Sequence, residues 1–164
     1  MNEDKKIRLY LDTSIPSAYY DTSKPLRQLI TQKWFENDAR LYELYISVIT
    51  IEEIEKVKNE VKKNNISELI VNYDMKILEQ SEKAKKLAFE YMNKGAIPKS
   101  ETEDAYHIAI AVINDIDALA SWNFKHIVSI NPIRKIHEIN RKQNYTAIEI
   151  GSLQIFGGAK YGNI

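Results

Sequence analysis

The arrangement of apolar and polar residues along the chain predicts strands that alternate with helices. Short apolar runs are typical of buried strands, and apolar residues that recur every three or four positions are typical of amphipathic helices. Predicted strands cover residues 7–11, 44–50, 118–122 and 146–150. Predicted helices cover residues 23–38, 51–63, 81–93, 100–113 and 132–140, and residues 66–73 fit either a helix or a short strand. This alternation predicts a three-layer α/β/α fold with a mainly parallel sheet of four or five strands.

The length of the chain and the position of its glycines bound the domain. A chain of 164 residues is expected to form one domain, and no linker or repeat divides it. Four of the five glycines lie at 151, 157, 158 and 162. We therefore predict a single domain over residues 1–150 and a loose tail over residues 151–164.

Composition removes several kinds of chemistry. The chain has no cysteine, which excludes disulfides, thiolate zinc sites and a thiol nucleophile. Only one glycine precedes residue 151, so a glycine-rich phosphate loop is excluded, and the three histidines do not form the H-E-x-x-H pattern of zinc hydrolases. The apolar runs are too short for an export signal or a membrane span. A soluble, cytoplasmic protein without membrane partners is expected.

The charges are segregated although the net charge is zero. Residues 100–120 carry a net charge of −5, and residues 121–142 carry a net charge of +4. Two interpretations stay open. The two segments can be solvated faces of opposite charge, or they can be a metal centre beside a phosphate-binding rim.

Three carboxylates follow or interrupt apolar runs at the starts of predicted helices. They are Asp12, Glu53 and Asp104. Because the carboxyl ends of parallel strands share one edge of a sheet, these side chains are expected to meet there. Gathered carboxylates repel each other unless a cation joins them, and oxygen ligands favour Mg²⁺ or Mn²⁺.

Each acid also has a purely structural explanation. Thr50-x-x-Glu53 and Ser100-x-x-Glu103 have the spacing of capping boxes, and Asp104 near a helix start would complement the helix dipole. An aspartate at a strand end can likewise cap a helix. Taken singly, the acids do not establish a metal site.

Four short segments, in this order and spacing, resemble the PIN-domain nucleases and, within them, the VapC-like toxin ribonucleases of toxin–antitoxin systems. They are Tyr10-Leu11-Asp12-Thr13-Ser14, Ile46-Ser47-Val48-Ile49-Thr50-Ile51-Glu52-Glu53-Ile54, Glu103-Asp104-Ala105-Tyr106-His107-Ile108-Ala109 and Leu119-Ala120-Ser121-Trp122-Asn123-Phe124-Lys125-His126-Ile127. The resemblance covers nearly the whole chain. It implies that Asp12, Glu53 and Asp104 hold Mg²⁺, with Thr13, Ser14 and Ser121 as polar supports.

Asn123 departs from the family pattern, because many PIN nucleases have a fourth acid at that place. An asparagine carbonyl can still bind a metal or its water, so Asn123 is included in the predicted catalytic and metal-binding set. It adds no negative charge, and a second metal ion would be held less tightly.

Other side chains near these segments have two interpretations each. His107 can be a ligand on the same helix face as Asp104 or a hydrogen-bonded core residue. Lys125 and His126 can bind a substrate phosphate or belong to the ordinary surface. Trp122 and the Tyr19-Tyr20 pair can stack on unpaired bases or be buried.

The function implied by the resemblance is Mg²⁺-dependent hydrolysis of RNA by the toxin of a toxin–antitoxin pair. Such a protein would have RNA as its substrate, a cognate antitoxin as a partner and, commonly, a homodimeric assembly. The alternative is a PIN-like module that binds RNA or protein without cutting, whose acids mainly cap helices. Metal dependence distinguishes the two.

Overall fold

A computed structural model describes residues 5–157 and contains a five-stranded parallel sheet with the strand order β3-β2-β1-β4-β5. The strands are β1 (Ile7–Leu11), β2 (Tyr42–Ser47), β3 (Lys76–Leu78), β4 (Ala118–Ala120) and β5 (Glu149–Gly151). Neighbouring strands pair in parallel throughout, with Leu9 opposite Leu44 on one side of β1 and Ala118 on the other. The predicted α/β class and parallel sheet are confirmed.

Helices cover both faces of this sheet. They are α1 (Ser14–Ala18), α2 (Pro25–Asn37), α3 (Val48–Glu55), α4 (Glu60–Asn72), α5 (Glu82–Asn93), α6 (Thr102–Ile113) and α7 (Ile130–Lys142), with 3₁₀ helices at Ala39–Leu41 and Leu153–Phe156. Within residues 5–157, none of them is both long and apolar enough to cross a membrane.

The hydrophobic core has two parts because successive residues of a strand point to opposite faces. Tyr10 of β1 packs in a cluster with the apolar faces of α5, α6 and α7. Leu9 and Leu11 pack in a second cluster with α1, α2 and α4. The sheet is thereby enclosed between two helical layers, as the sequence predicts.

The junction between β2 and α3 lies earlier than predicted. The strand ends at Ser47 rather than at residue 50, and α3 begins at Val48. Ser47 Oγ accepts a hydrogen bond from the Ile49 amide at 3.2 Å, and the Ser47 amide lies 3.5 Å from Thr50 Oγ1. The capping box is therefore Ser47 with Thr50, and the predicted box of Thr50 with Glu53 is wrong. Because α3 begins at Val48, Glu53 lies in the second turn of this helix.

Two other predicted helix features are also corrected. The predicted helix over residues 51–63 is divided into α3 and α4, because Asn59 begins a new helix by accepting a hydrogen bond from the Lys62 amide at 3.1 Å. Residues 66–73 are helical as far as Asn72.

The predicted box of Ser100 with Glu103 is wrong, since α6 has Glu101 as its N-cap. The short strand β3 was not predicted, because three residues are too few to give a clear periodicity.

The first residues of the predicted tail are packed against the domain. Gly151 ends β5, and Leu153 and Phe156 are buried in the core. The Phe156 carbonyl accepts hydrogen bonds from Trp34 Nε1 at 3.0 Å and from the Tyr42 hydroxyl at 2.9 Å. The rest of the predicted tail, residues 158–164, lies outside the described residues.

Candidate active site

The three predicted acids and Asn123 line one pocket at the carboxyl edge of the sheet. Asp12 directly follows β1, Asn123 lies three residues beyond the neighbouring strand β4, Glu53 lies on α3 and Asp104 lies in the first turn of α6. The pocket has a volume of about 260 Å³, and its lining is Asp12, Thr13, Ser14, Ser17, Glu53, Asp104, His107 and Asn123. Sequence positions more than 100 residues apart therefore meet, as expected for strand ends of a parallel sheet.

Asp12 is the most deeply buried acid of the pocket, with 3% of its surface exposed. Its Oδ1 accepts hydrogen bonds from the amide and hydroxyl of Ser14, and its Oδ2 accepts one from the Ser121 hydroxyl. Burial raises the pKa of Asp12 above its ordinary value, although His107 and the two serines act in the opposite direction. The predicted supports Ser14 and Ser121 thus contact Asp12 directly.

Glu53 is held by two polar side chains. His107 Nε2 lies 2.7 Å from Glu53 Oε1, and Thr13 Oγ1 donates to the same oxygen at 3.0 Å. Burial raises the pKa of Glu53, but the hydrogen bond and charge of His107, the hydrogen bond of Thr13 and the charge of Lys56 together outweigh burial, and the net shift is downward. Glu53 is therefore held in its ionised form.

His107 connects the pocket to the core. It is 2% exposed, and its Nδ1 lies 2.6 Å from the Tyr10 hydroxyl, which donates to Ser47 Oγ at 2.7 Å. Burial raises the pKa of Tyr10, so the phenol stays protonated. The chain Glu53–His107–Tyr10–Ser47 joins α3, α6, β1 and β2.

Sequence reasoning did not assign Tyr10, Ser47 or Ser17 to this site. Tyr10 lies in an apolar strand, where an aromatic residue is ordinarily part of the core, and Ser47 lies within the segment predicted as strand. The available signal was the position of His107 three residues after Asp104 on one helix face. The partners of His107 depend on strand order.

The pKa of Asp104 is raised as well. Burial, followed by the negative charge of Asp12, raises the pKa of Asp104 to about 7. Asn123 Nδ2 donates a hydrogen bond to Asp104 Oδ2 at 3.0 Å. Near neutral pH, Asp104 is therefore close to the midpoint of its titration.

Asn123 turns its amide nitrogen toward Asp104 and its oxygen toward the following backbone. Asn123 Oδ1 accepts hydrogen bonds from the Lys125 amide at 3.2 Å and the His126 amide at 2.9 Å. Two amide donors on one side require the oxygen there. In this arrangement Asn123 contacts Asp104 as a donor, and its carbonyl oxygen points away from the acids.

The predicted phosphate-binding residues Lys125 and His126 come two and three positions after Asn123, which lines the pocket. The Lys125 side chain is exposed, and His126 Nε2 lies 3.6 Å from Glu101 Oε1. Trp122 is buried, and its Nε1 donates to Thr31 Oγ1 at 3.0 Å. Tyr19 and Tyr20 are partly buried against the core cluster of α1, α2 and α4.

Whether this pocket can bind a metal ion depends on how many side chains must coordinate the ion at the same time. Within residues 5–157, no group of three or more histidine, aspartate or glutamate side chains could hold a metal ion as placed. Mg²⁺ usually keeps several waters and binds through one or two carboxylates, which is less than a complete cage. The oxygen donors of the pocket therefore fit a hydrated dication bound to part of the set.

The molecule is an α/β/α domain with an acidic pocket at the carboxyl edge of its parallel sheet. The sequence profile of the PIN domain matches residues 9–123, and the chain belongs to the PIN domain family. The resemblance predicted from the sequence is thereby confirmed. A search of curated protein sequences gives no match.

Solved structures with a similar fold include VapC20 of Mycobacterium tuberculosis, described as a toxin that cleaves the sarcin–ricin loop. It is 11% identical and has a TM-score of 0.55, with 72% of this chain and 92% of that chain covered. FitAcB of Neisseria gonorrhoeae is 17% identical with a TM-score of 0.52, covering 88% of this chain and 96% of that one. VapBC2 of Rickettsia felis, bound to a DNA fragment from its promoter, is 14% identical with a TM-score of 0.53, covering 88% and 98%. At these identities the similarity establishes the fold.

Proposed function

We propose that the protein is a metal-dependent ribonuclease that hydrolyses RNA phosphodiester bonds with Mg²⁺ or Mn²⁺ as cofactor. The proposal is carried by the convergence of Asp12, Glu53 and Asp104, which come from three separate elements, on one pocket of about 260 Å³. A raised pKa on one of several adjacent carboxylates is typical of functional sites. When bound, the dication would supply an activated water and neutralise charge on the reacting phosphate.

Each residue has a distinct role in this proposal. Asp12 and Asp104 bind the ion directly, and Glu53 binds it directly or through water. Ser14 and Ser121 fix the orientation of Asp12 through their hydrogen bonds. Thr13 and His107 do the same for Glu53.

Asn123 takes part through Asp104 in the arrangement described. Its Nδ2 holds Asp104 Oδ2, and binding a metal through Oδ1 would require its side chain to turn away from the Lys125 and His126 amides. The backbone amides of Lys125 and His126 bond to Asn123, which lines the pocket, and a substrate phosphate could reach both residues from there. We include them as substrate-binding residues.

The direct test is incubation of a mixed RNA panel with Mg²⁺ or Mn²⁺. We expect cleavage by the wild type, loss of cleavage on chelation and a large loss with Asp104→Asn. Glu103→Gln is the matched control, because Glu103 is an exposed acid on the same turn of α6 and does not line the pocket. Cleavage that persists in Asp104→Asn and in chelator would indicate a contaminating nuclease or another mechanism.

We further propose that the ribonuclease is the toxin of a toxin–antitoxin pair and acts in the cytoplasm, with a cognate antitoxin and a homodimeric assembly. Support comes from the fold shared with VapC20, FitAcB and VapBC2. Induced expression in a bacterial host is expected to arrest growth, and Asp104→Asn is expected to relieve the arrest. Light scattering of the purified chain measures the assembly.

Two observations favour a second candidate, a PIN-like module that binds RNA or protein without cutting. Asn123 stands where many family members have a fourth acid, and within residues 5–157 no three or more acidic or histidine side chains are grouped closely enough to hold an ion together as placed. Such a module would bind RNA but show neither metal-dependent cleavage nor metal-dependent stabilisation.

A further inference from the structure

Phe124 is an exposed aromatic residue beside the acidic pocket. Its side chain is 46% exposed, whereas the neighbouring Trp122 is 5% exposed. The two rings are 6.0 Å apart at an interplanar angle of 67°. Arg27 of α2 extends over both, with its Cζ 5.2 Å from the centre of the Trp122 ring and 5.9 Å from the centre of the Phe124 ring. A planar cation and an open aromatic surface are thus placed together.

This pair is fixed to the pocket by the backbone between them. Ser121 bonds to Asp12 and Asn123 bonds to Asp104, and Phe124 is the next residue. The Phe124 amide donates to the Trp122 carbonyl at 3.1 Å, which closes a tight turn. Trp122 Nε1 in turn bonds to Thr31 of α2, the helix that carries Arg27. Hydrogen bonds therefore connect the aromatic surface to the acids.

The chemistry of the pair matches an unpaired nucleobase. Bases stack on aromatic side chains and on arginine guanidinium planes, and this recognition requires a base that is not already stacked within a duplex. The positive charge of Arg27 and the exposed Lys125 would attract the neighbouring phosphates.

We propose that Phe124 and Arg27 form a base-binding site that holds an unpaired nucleotide of single-stranded RNA next to the acidic pocket. This site deepens the proposed ribonuclease function, on which it rests. Phe124, and not the buried Trp122, is then the residue that stacks on the base.

The test is fluorescence anisotropy with labelled oligoadenylate and oligouridylate in chelator, where metal-dependent cleavage does not interfere. Phe124→Ala and Arg27→Ala are each expected to weaken binding at least about fivefold. Phe89→Ala is the matched control for an exposed phenylalanine, since Phe89 is 59% exposed on α5. Arg40→Ala is the control for an arginine over an aromatic ring, since its Cζ lies 5.1 Å from the centre of the Tyr73 ring.

The outcomes separate this site from the nuclease proposal. A duplex RNA of the same length is expected to bind the wild type and Phe124→Ala equally. Three results would overturn the base-binding site. Phe124→Ala could bind single strands as tightly as the wild type does, or Phe89→Ala could lose as much affinity as Phe124→Ala. The third is that the wild type does not bind single strands. If the wild type cleaves RNA with an unchanged KM in Phe124→Ala, the nuclease proposal stands without this site. If no cleavage occurs but binding depends on Phe124, the base-binding site stands and the nuclease proposal fails.

Discussion

His107 Nε2 lies 2.7 Å from Glu53 Oε1, and this contact joins α6 to α3 at the acidic pocket. The histidine is 2% exposed, and its other ring nitrogen lies 2.6 Å from the Tyr10 hydroxyl. Because Glu53 is ionised and accepts only, Nε2 carries the proton in this contact. One buried side chain thus orients a candidate catalytic carboxylate and connects it to the central strand.

Replacing His107 by alanine is expected to destabilise the fold by about 2–4 kcal/mol, because both partners lose a hydrogen bond and a buried cavity remains. Urea unfolding measures the loss. His137→Ala is the control, since His137 lies 2.8 Å from the Ile148 carbonyl and is only partly buried. It should cost about 1 kcal/mol. Equal losses in the two variants would contradict the structural role assigned to His107.

The raised pKa of Asp104 predicts a stability that depends on pH. The folded state binds this proton more tightly than the unfolded state does, whose aspartate pKa is about 4. The contribution is fully present below about pH 4 and is lost as the pH rises through the folded pKa of about 7. Asp104→Asn removes the ionisation.

In chelator, Asp104→Asn is therefore expected to be more stable than the wild type at about pH 8, by about 1–2 kcal/mol after allowance for solvent screening. At about pH 4 the gain should vanish. Urea unfolding across this range measures it, with Glu103→Gln as the neighbouring control. A gain that is the same at both ends of the range would exclude the assigned titration.

Metal binding predicts a thermal shift that depends on Asp12. At a Mg²⁺ concentration ten times Kd, the folded state gains about 1.4 kcal/mol, which raises the thermal midpoint by about 3–6 °C. Asp12→Asn should show little of this shift. Differential scanning calorimetry with and without Mn²⁺ or Mg²⁺ measures it. No shift in either protein would favour the module that binds without cutting.

Changing Asn123 to aspartate is expected to have opposite effects with and without metal. The variant loses the hydrogen bond to Asp104 and adds a fourth carboxylate, so we expect a loss of about 1–2 kcal/mol near neutral pH in chelator. Added Mg²⁺ should stabilise it more than it stabilises the wild type. Asn114→Asp is the control, because Asn114 Nδ2 donates to the Ile110 carbonyl at 2.8 Å and does not line the pocket. Equal stabilisation of Asn123→Asp and Asn114→Asp by Mg²⁺ would show that Asn123 does not belong to the metal site.

Ser47 accepts two hydrogen bonds at the start of α3. Its replacement is therefore expected to lower the free energy of unfolding more than the replacement of an ordinary N-cap residue. Its Oγ accepts from the Ile49 amide and from the buried Tyr10 hydroxyl. Ser47→Ala should cost about 2 kcal/mol, against about 1 kcal/mol for Ser81→Ala, where the serine caps α5 only. Chemical denaturation compares them. A smaller loss for Ser47 than for Ser81 would contradict the link to Tyr10.

Much of the fold could be predicted from local patterns. The run from Ile7 to Leu11 is β1 as predicted, and the helical spacing around Trp34 gives α2. Boundaries were less accurate where two signals overlap. The apolar run after Leu44 continues from β2 into α3 without a change in hydrophobicity, so only the hydrogen bonds of Ser47 reveal where the strand ends.

The sequence by itself determined the alternation of strands and helices and the placement of Asp12 and Asp104 near helix starts, because periodicity and capping act over a few residues. Glu53 lies in the second turn of α3 instead, since that helix begins at Val48. The tertiary structure decided which side chains face each other. Thr13 meets Glu53 across 40 positions, and Tyr10 meets His107 across 97. These contacts depend on the order β3-β2-β1-β4-β5, which no local pattern contains. The same packing buries Trp122, exposes Phe124 and turns the amide nitrogen of Asn123 toward Asp104, since side-chain orientation follows from partners distant in sequence.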